Sequence, residues 1–328
     1  MKRPALLIQL LLIGLCAAAP VWSASAPVES FVEIPGGQAP LKATMVNPSG
    51  GKPWAIVVIL PGSGPTDRDG NNPLGVSGRP YRLLAEGLAE QGIASLRMDK
   101  RGMFASGPAA NDPNRVFISV LAADALAWAK RARAETGQTC AWLAGHSEGA
   151  LVALVATRNV SASKDLCGLI LLSGAGRPLG VILREQLNAN PANAAILPQA
   201  SHALNELEAG RTVDPSILHP RLQPLFRANV QDFLIEALAY DPASMAAAYD
   251  GPVLILQGTT DLQISLEDAR KLQSAQPRAQ LSLLEGVNHL LKAAPADRAR
   301  NLSTYSDPSL PLAPGVVETI ANFIRAHQ

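Results

Sequence analysis

The chain has 328 residues, of which 48% are hydrophobic and 17% charged, and its formal charge is +1. That composition supplies a sizeable core and excludes an intrinsically disordered chain, while the near-neutral balance argues against a nucleic-acid partner, which needs a strongly basic surface. The length suits one large domain or two ordinary ones.

Residues 1–24 read as a signal peptide: Lys2 and Arg3, an apolar run from Ala5 to Ala19, then small residues. The run is short of the ~20 residues that span a bilayer, so no stable membrane span is expected once it is cleaved. The expected location is therefore exported, periplasmic or secreted. Bulky Leu15 argues against lipidation at Cys16. Export leaves Cys140 and Cys167 in a compartment that permits disulfides. Each stands at the start of a predicted strand, and the two strands should be neighbours, so a bridge or a pair of buried thiols is open. No Cys/His cluster has metal-ligand spacing, and neither metal nor cofactor is expected.

"VESFVEI" and "PLKATMV" alternate apolar and polar residues around Pro35-Gly36-Gly37, which predicts a hairpin of half-buried strands. Six short apolar runs follow, at 55–62, 93–99, 140–146, 167–174, 252–258 and 279–286. Runs without alternation suit strands buried on both faces of a parallel sheet. Helical stretches separate them. Residues 81–91 end at Gly92, and Phe117, Val120, Leu121, Ala125, Trp128 and Ala132 recur at helical spacing. A last amphipathic helix closes the chain after Pro314. The prediction is an α/β fold: a mostly parallel eight-stranded sheet with helices on both faces.

Residues 175–250 contain helical patches and no convincing strand. They read as a helical lid inserted between a first core part, 28–174, and a second, 251–328, with a separate domain as the alternative. A lid would sit over the C-terminal edge of the sheet, where α/β proteins bind ligands.

The chemistry centres on Gly145-His146-Ser147-Glu148-Gly149, between a predicted strand and a helix. This G-x-S-x-G resembles the nucleophile elbow of the α/β-hydrolases, in which a sharp turn presents the serine at a helix N-terminus. A serine needs a base, and the order in those proteins is Ser, then an acid, then His. Asp261 follows one later strand and His289 the next, so both fall on loops at the same sheet edge as Ser147. Asp250 and Asp268 read instead as cap or surface residues. His146 lies inside the elbow, His202 and His219 lie in the insertion, and His327 is near the end. The candidate triad is Ser147, Asp261 and His289.

Together "PGSGPTDRDGN", "MDKRGMFAS", "AGHSEGALVA", "LQGTTDLQI", "GVNHLLK" and "YSDPSLPLAPGVVETIANFI" look like a bacterial family of secreted or thermophilic carboxylesterases. That family is related to serine aminopeptidase-like and dienelactone-hydrolase-like proteins. The resemblance spans about residues 30–328 and is weakest over the lid. It implies an α/β-hydrolase fold that begins directly with the hairpin, without a separate N-terminal domain. It also implies hydrolysis of small-molecule carboxylic esters of short to medium acyl chains. The oxyanion would be held by backbone N–H groups of Glu148 and Ser63, with Gly64 as second choice. Ser63 stands where relatives place the donor of an H-G-x-G-like motif, and Pro61 stands where many have His. Gly64 and Arg68 are candidate substrate contacts, although Asp67-Arg68-Asp69 also reads as a salt-linked loop, and Asp99-Lys100-Arg101 as a structural turn. Two rival functions stay open. A peptidase or amidase would use the same triad, with Glu206 or Glu208 as a carboxylate for a free N-terminus. A non-catalytic binding protein on this fold would be marked by an incomplete triad.

Overall fold

The computed structural model describes residues 26–159, 161 and 164–328. The expected signal segment, residues 1–24, and Cys16 lie outside the described residues.

The predicted hairpin is β1 (Val28–Ile34) and β2 (Leu41–Asn47), antiparallel with Val28 opposite Asn47. Chain order then gives β3 (Ala55–Leu60), α1 (Pro80–Glu90), β4 (Ile93–Met98), α2 (Ile118–Thr136), β5 (Ala141–His146), α3 (Glu148–Ala156) and β6 (Leu166–Leu172). Four helices follow without a strand: α4 (Leu179–Asn188), α5 (Leu197–Glu208), α6 (Ala228–Leu238) and α7 (Pro242–Ala247). The core resumes with β7 (Val253–Gly258), α8 (Leu266–Ala275), β8 (Gln280–Leu284), α9 (Arg298–Ser303) and α10 (Val316–Ala326).

The eight strands form one sheet in the order β1-β2-β4-β3-β5-β6-β7-β8. β2 pairs antiparallel with β4, and every pair from there to β8 is parallel. This is the mostly parallel eight-stranded sheet expected of an α/β-hydrolase. Parallel strands need crossovers, and the crossover helices cover both faces. Side chains alternate along a strand, so each strand feeds two cores. Val58, Leu143 and Ile255 pack with α2, α3 and α8 on one face. Val57, Trp142 and Leu254 pack with α1 and α10 on the other. Trp128 and Trp142 are core residues, both buried.

One strand departs from its predicted environment. The run at 279–286 was expected to be buried on both faces, but β8 is the edge strand, with Gln280 and Leu283 exposed. It has a neighbour on one side only. The helices between β6 and β7 carry a core of their own, built on Leu204, Leu207, Leu222, Phe226 and Leu234. Cys140 and Cys167 are joined by a disulfide with a Cα–Cα distance of 5.1 Å. It lies at the N-terminal ends of β5 and β6, the edge away from Ser147. Among the described residues, no helix is long and apolar enough to cross a membrane.

Candidate active site

At the end of β5 the chain must reverse into α3 within one residue, and Ser147 is that residue. Its φ of 54° and ψ of −117° fall in a region that side chains seldom adopt, a strain of about 1–3 kcal/mol. Its N–H donates to Leu172 O at 2.9 Å, and its carbonyl accepts from Ala150 at 3.0 Å, which holds the turn. The flanking glycines are required by space. A Cβ on Gly145 would lie 2.1 Å from Gly149 O, and one on Gly149 would lie 2.3 Å from Leu60 O. Hence no larger residue fits on either side.

His289 Nδ1 lies 2.8 Å from Asp261 Oδ2, with both side chains buried. The carboxylate also accepts from the N–H groups of Gln263 (2.8 Å) and Ile264 (3.0 Å) and from Gln257 Nε2 (3.1 Å). Burial alone would raise the Asp261 carboxyl. The His289 imidazole and the backbone donors outweigh it and hold the group at about 2. Ionised Asp261 therefore fixes the proton on Nδ1 and leaves Nε2 as the basic nitrogen. The loop under His289 is braced by Asn288, whose Oδ1 accepts from Leu290 and Lys292 and whose Nδ2 donates to Thr304 Oγ1 at 2.8 Å.

A chain of hydrogen bonds ties the three loops together. Gly62 N–H donates to Tyr81 Oη at 3.0 Å, Tyr81 Oη lies 2.8 Å from His146 Nδ1, and His146 Nε2 lies 2.7 Å from His289 O. A carbonyl can only accept, so Nε2 of His146 carries the proton and Nδ1 accepts from the Tyr81 hydroxyl. Burial, with the adjacent His289 charge, holds His146 at about 3, which keeps it neutral. The residue before the serine thus grips the backbone of the residue that would serve as its base.

After β3, Ser63 and Glu148 line one cavity with Ser147. Among the described residues, the backbone N–H groups of Ser63 and Glu148 are bonded to no protein acceptor. Buried Lys100 fastens this region: its Nζ donates to Gly62 O at 2.7 Å and lies 3.3 Å from Glu148 Oε1. Arg68 is placed differently from the substrate contact considered above. Its guanidinium is bound by Asp99 at 2.6 Å and by Thr44 Oγ1 at 3.1 Å, and it does not line the Ser147 cavity. Two acceptors from outside the loop engage its charge, Thr44 in β2 and Asp99 just after β4. Asp67 caps the N–H groups of Asp69 and Asn71, so this stretch is the salt-linked loop. Gly64 lines a neighbouring compartment.

The Ser147 cavity measures about 230 Å³. Ile118 and Leu151 line it, as do Ile182, Phe233 and Ala237 from the segment between β6 and β7. The other candidate acids lie elsewhere. Asp250 pairs with Arg278, and Asp268 caps α8 and pairs with Arg177. Glu206 is bound by Arg211 and Glu208 by Arg184, and neither lines the cavity. Sequence reasoning missed the bracing residues Tyr81, Gln257 and Asn288, while Lys100 belongs to the turn it read as structural. A polar Gln257 at the end of the apolar run "PVLILQG" was the one visible signal.

The profile of the family "Serine aminopeptidase, S33" matches residues 74–293. Esterase EstD of Thermotoga maritima is 26% identical over 272 residues, which cover 80% of this chain and 61% of that protein. The chain therefore spans less than two thirds of that relative's length. Among solved structures, Est1E from Butyrivibrio proteoclasticus with ferulic acid bound superposes with a TM-score of 0.55 at 16% identity, covering 90% of this chain and 96% of that one. A proline iminopeptidase from Mycobacterium smegmatis gives 0.56 at 15% identity, covering 91% and 98%. At such identities the solved structures speak for the fold alone.

Proposed function

Because the chain belongs to the family "Serine aminopeptidase, S33", with the α/β-hydrolase fold, we propose that it is a serine hydrolase cleaving carboxylic esters of short to medium acyl chains. Ser147 is the nucleophile, His289 the general base and Asp261 its orienting acid. One observation carries the reading: Ser147 is held in a strained turn beside two unbonded backbone N–H groups, in a single cavity. In the first half-reaction the Ser147 hydroxyl attacks the ester carbonyl as His289 Nε2 takes its proton. The oxyanion is received by the N–H groups of Ser63 and Glu148, each such donor being worth ~3–4 kcal/mol. His289 then returns the proton to the departing alcohol, leaving an acyl-enzyme. Water repeats the sequence to release the acid.

The helical segment 175–250 is the lid that sets the acyl pocket. Export, expected from residues 1–24, agrees with the disulfide. An ester is preferred over a peptide because Glu206 and Glu208 are neutralised by arginines away from the cavity. The esterase relative supports the same choice. Replacing Ser147 by alanine should lower turnover of short para-nitrophenyl esters by at least about 10⁴-fold while the far-ultraviolet circular dichroism stays unchanged. Retained turnover would refute the assignment of Ser147. Aminoacyl-nitroanilides, assayed beside the esters, should be cleaved far more slowly.

A further inference from the structure

The cleft does not end at Ser147. Past Glu148 and Phe233, which line both spaces, lies a second compartment of about 630 Å³. Its walls are apolar, with Val116, Leu121 and Leu225 contributing. The smaller space carries Gln263 and Ile264, whose N–H groups bind the Asp261 carboxylate that holds His289, which suits it to the departing alcohol. The larger space lies on the Gly64-Pro65 side, which makes it the place for the acyl arm.

Burial does not account for two features of this compartment. Phe104 has a φ of 46°, although a bulky side chain in the left-handed region is an outlier. The turn is fixed around it: Met103 N–H donates to Lys100 O at 3.0 Å, and Ala105 N–H donates to Asp99 Oδ2 at 3.1 Å. Yet Phe104 is 47% exposed, so burial does not offset the strain. Strain that packing leaves unexplained is what a ligand-facing residue shows. Arg227, exposed and just before α6, lines the same compartment. Among the described residues its guanidinium has no ion pair and no hydrogen bond. The other two lining cations are engaged: Lys100 by Gly62 O and Glu148, and Arg101 by Asp124 and Gly36 O. Glu148, the one carboxylate on this wall, already faces Lys100. The surplus charge is positive and belongs to Arg227.

We propose that the larger compartment takes an apolar acyl arm ending in a carboxylate, with Phe104 against its apolar part and Arg227 on the terminal anion. The preferred substrates are then half-esters of dicarboxylic acids or of carboxylated aryl acids. This rests on Ser147 as the nucleophile.

The test compares a para-nitrophenyl half-ester of a dicarboxylic acid with the neutral ester of equal chain length. The wild type should favour the half-ester about fivefold in kcat/KM at low salt, and the preference should shrink as salt is added. In Arg227→Gln the ratio should fall to about one. No preference in the wild type, or one that survives in Arg227→Gln, overturns the proposal, as does a preference seen only when the carboxylate is on the alcohol arm. A second measurement does not depend on turnover. Ser147→Ala should bind phenylhexanoate about fivefold more tightly than phenylhexanol by calorimetry, and the added Arg227→Gln should abolish the difference. If that difference is present while the wild type cleaves no ester, the esterase reading fails and the site stands. If it is absent while esters are cleaved, the site fails and the esterase reading stands.

Discussion

Tyr81 uses one oxygen twice, accepting from Gly62 and donating to His146. Removing it leaves two buried polar groups unpaired, each at a cost of about 1–3 kcal/mol. Under the proposed function Tyr81→Phe should lower kcat about 10- to 100-fold with KM little changed, because it loosens together the loops that carry Ser63 and His289. A raised KM at unchanged kcat would show that Tyr81 serves binding instead. Asp261 gives a pH test. Its folded value of about 2 lies below the ordinary 3.8, so folding favours the ionised form. The resulting stability, about 2 kcal/mol, is complete above the unfolded value and is lost as pH falls through about 2. Denaturant unfolding of wild type and Asp261→Asn across pH 2–5 should converge at the acid end. At this scale the placing of Ser147, Asp261 and His289 at one sheet edge was legible because each follows a strand. Tyr81 and Asn288 were not, since each works through single hydrogen bonds to groups distant in sequence.

Strand, turn and helix meet at the elbow, and their spacing leaves no room for a methyl group. Gly149→Ala would press a Cβ toward Leu60 O, which belongs to the strand backbone and cannot rotate away. The variant should lose about 1–3 kcal/mol of stability in denaturant unfolding. Under the proposed function its turnover of esters should fall as well, since relief of the clash shifts β3 against the elbow. The strands were readable from apolar runs because a parallel sheet buries both faces. β8 broke that rule for a reason no run of residues announces: its rank in the sheet places it at the edge. The charge partners of the loops were equally hidden. Arg68 finds Asp99 only because β4 lies beside β3. Asp268 reads as a cap from sequence, but its partner Arg177 comes from beyond β6, 91 residues away.

For the molecule as a whole, the sheet gathers at one edge loops that are far apart in the chain. β3 delivers Ser63, β5 delivers Ser147, β7 delivers Asp261 and β8 delivers His289. The disulfide closes a loop of 27 residues across two neighbouring strands. By the chain-entropy account such a loop contributes about 3–4 kcal/mol, so the Cys140→Ser, Cys167→Ser double variant should melt several degrees lower. An unchanged melting temperature would mean that β5 and β6 hold their pairing unaided. The bridge precedes β5 while Ser147 follows it, and six strand residues at ~3.3 Å each separate the two. Redox state and reactivity therefore occupy opposite margins of the same sheet. A reductant should shorten the protein's working life at elevated temperature without altering the kinetic constants of the molecules still folded, so durability and catalysis can be engineered as independent variables.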